Sequence, residues 1–509
     1  MAKPRKKTVN PGRTYKEFYQ GMEIEDFPFN TFTTEQELDF SKDVFVSQAE
    51  YDPIIDAFKA EKNLIILGER GSGKTAILED FKRLLENRKK VYTVITDYQS
   101  LSNPSNSTEI YKLLISSLLI ELLTKASQRP YKLFFLNKED KILISYLISE
   151  FLPQYSKNLL KDKIVNIQAP FWVRWPNKLY NLLRGPLNFT GTVGQNLLYQ
   201  YLLKHYSFLP VIENDNQIRE YFPELKLNVE YDFFNQDISF LLLKKVAKIA
   251  KKLSKYKPTI LIDRLDEDTR FDNDAESIAS FINPFLTDNN LLSTSDIQNV
   301  FFVWKTPFRF IEDSVRTQKY YCPSLKWSRR DLEKLLNKRL SYSSKGKITN
   351  YIDIFDETVV QESLENIFEL GNANPRDMLH IFKIIFEEQY NLDSTKKKIG
   401  NLAVQNALIK FVREFNYYEY YPKKSNARSN SMDIYSYSAH LLKLDKEEFT
   451  KDRLNQLAGT GSSTTNYVTN MEKIGLVENI RQERGAAIYR IKDPKIVFAL
   501  KNKIDITKH

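Results

Sequence analysis

Apolar positions along the chain change period several times, and each change predicts an element. Leu64-Ile65-Ile66-Leu67 is an unbroken apolar run ending at Gly68, which predicts a short strand buried on both faces. After a glycine-rich turn, Ile77, Leu78, Phe81 and Leu84 recur at helical spacing through 74–87. Residues 91–96 alternate as a second strand, and 108–124 is a strongly apolar helix candidate. The helical pattern of 240–253 leads to a third buried run at 259–262, and 300–304 supplies a fourth. Strands alternating with helices in this way predict an α/β core around a parallel sheet.

The core is interrupted. Its two parts are read at 41–125 and 237–325, with 126–236 between them as an aromatic-rich helical insertion. Residues 1–40 are a flexible basic arm and lead-in, 326–419 form a helical lid, 420–431 a linker, and 432–509 a small terminal domain. In that domain, helices are expected at 434–442, 446–457 and 463–474, followed by strands at 476–480 and 486–491 that turn at Glu483-Arg484-Gly485. This is the order of a winged helix.

With 509 residues, several domains are expected, and 42% hydrophobic residues suffice to build them. The longest apolar runs are too short and too broken to span a membrane, and the start Met-Ala-Lys-Pro-Arg-Lys-Lys has no apolar segment behind it. A soluble, cytoplasmic protein with no membrane partner is therefore expected. One cysteine, Cys322, and four histidines exclude a disulfide framework and offer no zinc spacing. The net charge of +10 is spread along the chain among acidic residues.

Gly68-Glu69-Arg70-Gly71-Ser72-Gly73-Lys74-Thr75 matches G-x-x-x-x-G-K-[ST] between a predicted strand and a predicted helix. The glycines let backbone N–H groups turn toward phosphates, and the helix N-terminus adds its positive end. Lys74 is expected to reach the β and γ oxygens, and the Thr75 hydroxyl to help hold Mg²⁺. The run 259–262 ends in Asp263-Arg264-Leu265-Asp266-Glu267-Asp268, several carboxylates at a buried strand's exit. Asp263 is the expected second magnesium ligand, and Glu267 or Asp266 the group that orients and deprotonates water. Asp268 reads equally as part of this motif and as a solvated acidic turn or helix cap, and the structural reading carries less weight for Asp266.

These residues carry a resemblance. The chain resembles P-loop ATPases of the STAND and AAA+ groups, including KAP-like and Orc-like bacterial members. The match rests on residues 68–75, the Asp263 to Glu267 motif, residues 299–307, and Gly371-Asn372-Ala373-Asn374-Pro375-Arg376. The resemblance implies a P-loop NTPase sheet, ATP with Mg²⁺ as cofactors, Lys305 or Thr306 as a γ-phosphate sensor, and Arg376 reaching back from the lid. It also implies a homo-oligomer or a partner effector protein, with Arg316, Arg329 or Arg330 as an arginine acting in trans.

Asn374 and Pro375 also read as the cap and first turn of a helix. In the terminal domain, Thr465, Asn466, Asn470 and Lys473 on the third helix, with Arg481 and Arg484 on the hairpin, are the candidate contacts to double-stranded DNA. Residues 431–509 hold 13 Lys and Arg against 10 Asp and Glu, a modest excess for such a module. The expected function is an ATP-hydrolysing switch or remodeller linked to DNA, in bacterial defence or DNA maintenance by family analogy. The alternative is a DNA- or protein-binding scaffold that holds nucleotide as a slowly hydrolysed ligand.

Overall fold

The computed structural model describes residues 13–32, 41–128, 136, 137, 140, 143, 144, 147, 236–423, 432–483 and 485–506. Most of the expected insertion, the aromatic run at 170–175, Arg484 and much of the basic arm lie outside these residues.

Four strands, β1 (Leu64–Gly68), β2 (Tyr92–Ile95), β3 (Thr259–Ile262) and β4 (Gln298–Trp304), form a parallel sheet in the order β1-β4-β3-β2. The fold is thus mixed α/β. β1, β3 and β4 are buried at every position, as expected of strands covered by helices on both faces. Beyond β1, residues 321–325 add an extended edge. Ile65 N–H donates to the Tyr321 carbonyl, Leu67 N–H to that of Pro323, and Leu325 N–H to that of Leu67.

On one face, the helices Tyr51–Lys59 and Lys74–Asn87 pack Ile54, Phe58, Ile77 and Phe81 against Leu64, Ile66, Leu261 and Phe302. The Phe58 and Phe81 rings stack with centroids 3.7 Å apart. On the other face, the helices Ser107–Gln128, Gln236–Ser254 and Ala275–Thr287 cover Ile65, Ile260, Ile262 and Phe301. Because the four strands are parallel, β1, β4 and β3 end side by side at one edge. In open sheets of this kind, the crevice outside the strands' carboxyl ends is where ligands bind.

After the sheet, the helices Arg329–Ser343, Gln361–Gly371, Pro375–Leu392 and Asn401–Glu414 share one hydrophobic core with residues 18–29 and with the terminal segment 434–506. Asn374 caps the Pro375–Leu392 helix through its side chain, with Pro375 in the first turn.

The terminal segment contains the helices Ile434–Leu441, Lys451–Ala458 and Thr464–Lys473, and the hairpin β6 (Val477–Glu483) and β7 (Ala486–Ile491). Two features depart from the sequence reading. Glu448–Phe449 is not the first turn of a helix from 446 but a two-residue strand, β5, paired antiparallel with β7. A further helix, Pro494–Asn502, closes the segment, capped by Asp493. The first residues of the segment read as a linker are also packed: Tyr420 Oη donates to Asp377 at 2.8 Å and Tyr421 Oη to Asp493 at 3.0 Å.

Candidate functional site

A cleft of about 820 Å³ opens at the carboxyl edge of the sheet, and parts of the chain far apart in sequence, Phe32 among them, form its walls. The glycine-rich loop contributes Arg70, Gly71, Gly73, Lys74 and Thr75, and the turn after β3 contributes Asp263, Arg264 and Asp266 through Thr269. Asp272 and Asn273 form a further wall, and Arg376 and Glu419 close it from the helical side. A smaller apolar slot of about 100 Å³ shares Gly71, Gly73, Phe32 and Arg376 with the cleft and extends between Val44, Trp327 and Leu379.

The loop turns back on itself because Gly71 and Gly73 take φ of 78° and 90°, a region costly for residues with a Cβ. Ser72 N–H donates inward to the Glu69 carbonyl at 3.2 Å. The Lys74 ammonium donates to the Gly68 and Glu69 carbonyls at 2.9 and 3.0 Å, which uses two of its three protons. Burial lowers the Lys74 pKa, while Asp266 and Asp263 pull the other way. Thr75 Oγ1 lies 3.4 Å from Asp263 Oδ2, across 188 residues of sequence.

Asp263 is 3% exposed. Burial raises its carboxyl to about 6, against the opposing pull of Lys74. Its backbone is held as well: its N–H donates to the Ile95 carbonyl and its own carbonyl accepts from Tyr98 Oη at 2.7 Å. The two candidates for water activation separate in this structure. Asp266 is buried and paired with Arg70 Nε at 2.9 Å, whereas the Glu267 side chain is 61% exposed and lies 3.7 Å from Arg264. Of the two, Glu267 is the more exposed at the cleft. Asp268 caps the short turn Thr269–Phe271 and pairs with Arg270, in keeping with the structural one of its two readings.

The residues after β4 act on the loop rather than in the cleft. Lys305 starts the short helix Lys305–Phe308 and is not part of the cleft wall. Its neighbour Thr306 donates to Glu69 Oε2 at 3.0 Å, as does Trp304 Nε1 at 3.0 Å, and Arg309 lies 3.7 Å from Glu69 Oε1. Arg70 stacks over the Trp304 ring, 3.9 Å from its centroid. Arg376 lines both cleft and slot, with Nη1 3.5 Å from Glu419.

Sequence reasoning missed Trp304, Arg309, Gln48 and Trp327, and saw in Asn374 only a helix cap. Gln48 Nε2 and Trp327 Nε1 both donate to the Ser72 carbonyl, at 3.1 and 2.8 Å, and Asn374 Nδ2 donates to the Arg70 carbonyl at 2.7 Å. No local pattern marks such contacts, although Trp304 lies within the 299–307 stretch and Asn374 within the motif that ends in Arg376.

The arrangement suits a phosphate with a hard cation. A Cβ at Gly68 would meet Ser72 Oγ at 2.4 Å, so a side chain there would require Ser72 to move. Among the described residues no group of three or more His, Cys, Asp or Glu side chains could hold a metal by itself. A hydroxyl and one carboxylate, completed by phosphate oxygens and water, is the usual donor set for Mg²⁺.

The candidate DNA contacts are scattered in character. Thr465 and Asn466 are exposed, whereas Asn470 hydrogen bonds to Tyr437 and Lys473 lies in the field of Glu276 on the core. Arg481 pairs with Glu448 at 2.8 Å and with Glu483, and Arg490 pairs with Glu478. Of the arginines considered for action in trans, Arg329 is engaged with Glu333 and Glu365 of its own chain.

Among the described residues no helix is long and apolar enough to cross a membrane. Comparison with protein-family models finds no match, and comparison with curated proteins finds no relative.

Proposed function

We propose that this chain is a P-loop ATPase of the STAND and AAA+ kind, which binds ATP with Mg²⁺ in the cleft, hydrolyses it, and uses the cycle as a switch. The observation that carries the reading is the meeting of Lys74 and Thr75 with Asp263 at the carboxyl edge of the sheet, Thr75 and Asp263 being 3.4 Å apart. The loop and Lys74 hold the phosphates, and the apolar slot beside Trp327 takes the base. Thr75 and Asp263 hold Mg²⁺, which neutralises phosphate charge when bound. Glu267 orients the attacking water and takes its proton, and Arg376 supplies positive charge from the lid.

The shared core of lid and terminal segment supports a switch, because movement at Arg376 reaches the three helices and hairpin through packed side chains. In this reading the terminal segment is a winged-helix module that meets double-stranded DNA through Thr465 and Asn466, and the output is assembly into a homo-oligomer or engagement of an effector protein.

The test is ATP hydrolysis by wild type, Lys74→Ala and Glu267→Gln, with and without duplex DNA, alongside mass in solution. Expected are turnover in wild type alone, ATP retained by Glu267→Gln, and loss of binding in Lys74→Ala. Binding that survives Lys74→Ala unchanged would sink the proposal.

A further inference from the structure

A peptide unit is planar and trans, so its N–H points away from its C=O. Tying down a carbonyl therefore aims the amide of the following residue. In the 68–75 loop two carbonyls are tied from outside: Ser72 O by Gln48 Nε2 and Trp327 Nε1, and Arg70 O by Asn374 Nδ2. The amides sharing those peptide units belong to Gly73 and Gly71, both in the cleft wall and both at positive φ.

Given the nucleotide reading above, on which this rests, we infer that Gln48, Trp327 and Asn374 are positioning residues that aim the Gly71 and Gly73 amides at the phosphates. Asn374 does two things at once. Its Oδ1 accepts from Arg376 N–H at 2.9 Å, capping the lid helix, while its Nδ2 holds the loop. The approach is close, since a Cβ at Gly71 would lie 2.6 Å from Asn374 Oδ1 and 3.0 Å from Arg376 Cβ. A lid that swings away must release the Arg70 carbonyl and leave the Gly71 amide free to turn. Grip on the phosphates and the position of Arg376 are thereby one variable.

The two duties separate chemically. Ser caps a helix about as well as Asn, carries no charge and has no amide to reach the Arg70 carbonyl, so Asn374→Ser keeps the cap and loses the tie. The expected result is a melting temperature close to wild type without ligand, and affinity for both Mg-ATP and magnesium tripolyphosphate reduced about tenfold, as for one lost hydrogen bond to a preorganised site. Trp327→Phe, which keeps a ring but loses the donor to Ser72, should weaken tripolyphosphate similarly and serves if Asn374→Ser folds poorly. Wild type that binds ATP while both variants bind both ligands within about twofold of it overturns the tie alone. Wild type that binds neither ligand overturns the nucleotide reading and the tie together.

Discussion

Asp263 shows what a buried carboxylate at the proposed magnesium position costs a fold. In the unfolded chain its carboxyl titrates near 3.8, and burial in the fold lifts it to about 6. A raised carboxyl means that the folded state binds the proton more tightly, so the stability this group contributes is complete below about pH 4 and lost as pH rises through about 6. Two pH units correspond to about 3 kcal/mol, an upper figure for a group beside Lys74. Asp263→Asn should therefore be more stable than wild type by about 2 kcal/mol at pH 7.5, in unfolding measured without nucleotide, with no such gain at pH 4. Equal stabilities at pH 7.5 would mean that the carboxylate is solvated better than its burial implies. On the ATPase reading proposed above, the same substitution should abolish turnover.

At the scale of elements, the Pro494–Asn502 helix is joined to the lid through a buried charge. Lys495 is fully buried and 2.8 Å from Asp377, and its ammonium also lies 4.5 Å from the Phe415 ring centroid. Burial alone would lower its pKa, but Asp377 and Asp493 more than offset this and raise it. Breaking such a pair leaves an uncompensated charge, so Lys495→Met should destabilise the chain by about 3–5 kcal/mol, and adding Asp377→Leu should recover part of that loss in denaturant unfolding. A milder single variant with no recovery in the double would show that the pair is not where the helix is held. Much of this architecture was legible: the apolar runs of β1 and β3, the spacing of Ile77 and Phe81, and the Asn374-Pro375 helix start are local signals. Glu448–Phe449 was not, because one apolar residue among Lys and Glu reads as helix until β7 supplies a partner. Asp493-Pro494 carried a helix-start signal that went unread. At the site, the motif residues could be named in advance, but the Asn374 tie to Arg70 spans 304 residues and leaves no pattern in either segment.

For the whole molecule, the distribution of ion pairs bears on what it can bind. Arg481 and Arg490 are both held by carboxylates of the same hairpin module, and Lys492 also approaches Glu478, at 3.5 Å. Glu478→Gln frees two cations, so duplex DNA affinity should rise and its dependence on salt steepen by about one to two in logarithmic slope. An unchanged slope would place DNA, if bound at all, on another face. β1 has a different consequence, in time. Its neighbours are β4, whose Val300 pairs with Leu64, and the edge at 321–325, both made long after it. At typical synthesis rates of about 5–20 residues per second, the completed strand waits roughly ten seconds or more for either neighbour. In that interval an apolar segment without its sheet partners stays exposed to water and to other nascent chains, and the length of the interval is set by the distance between the motifs.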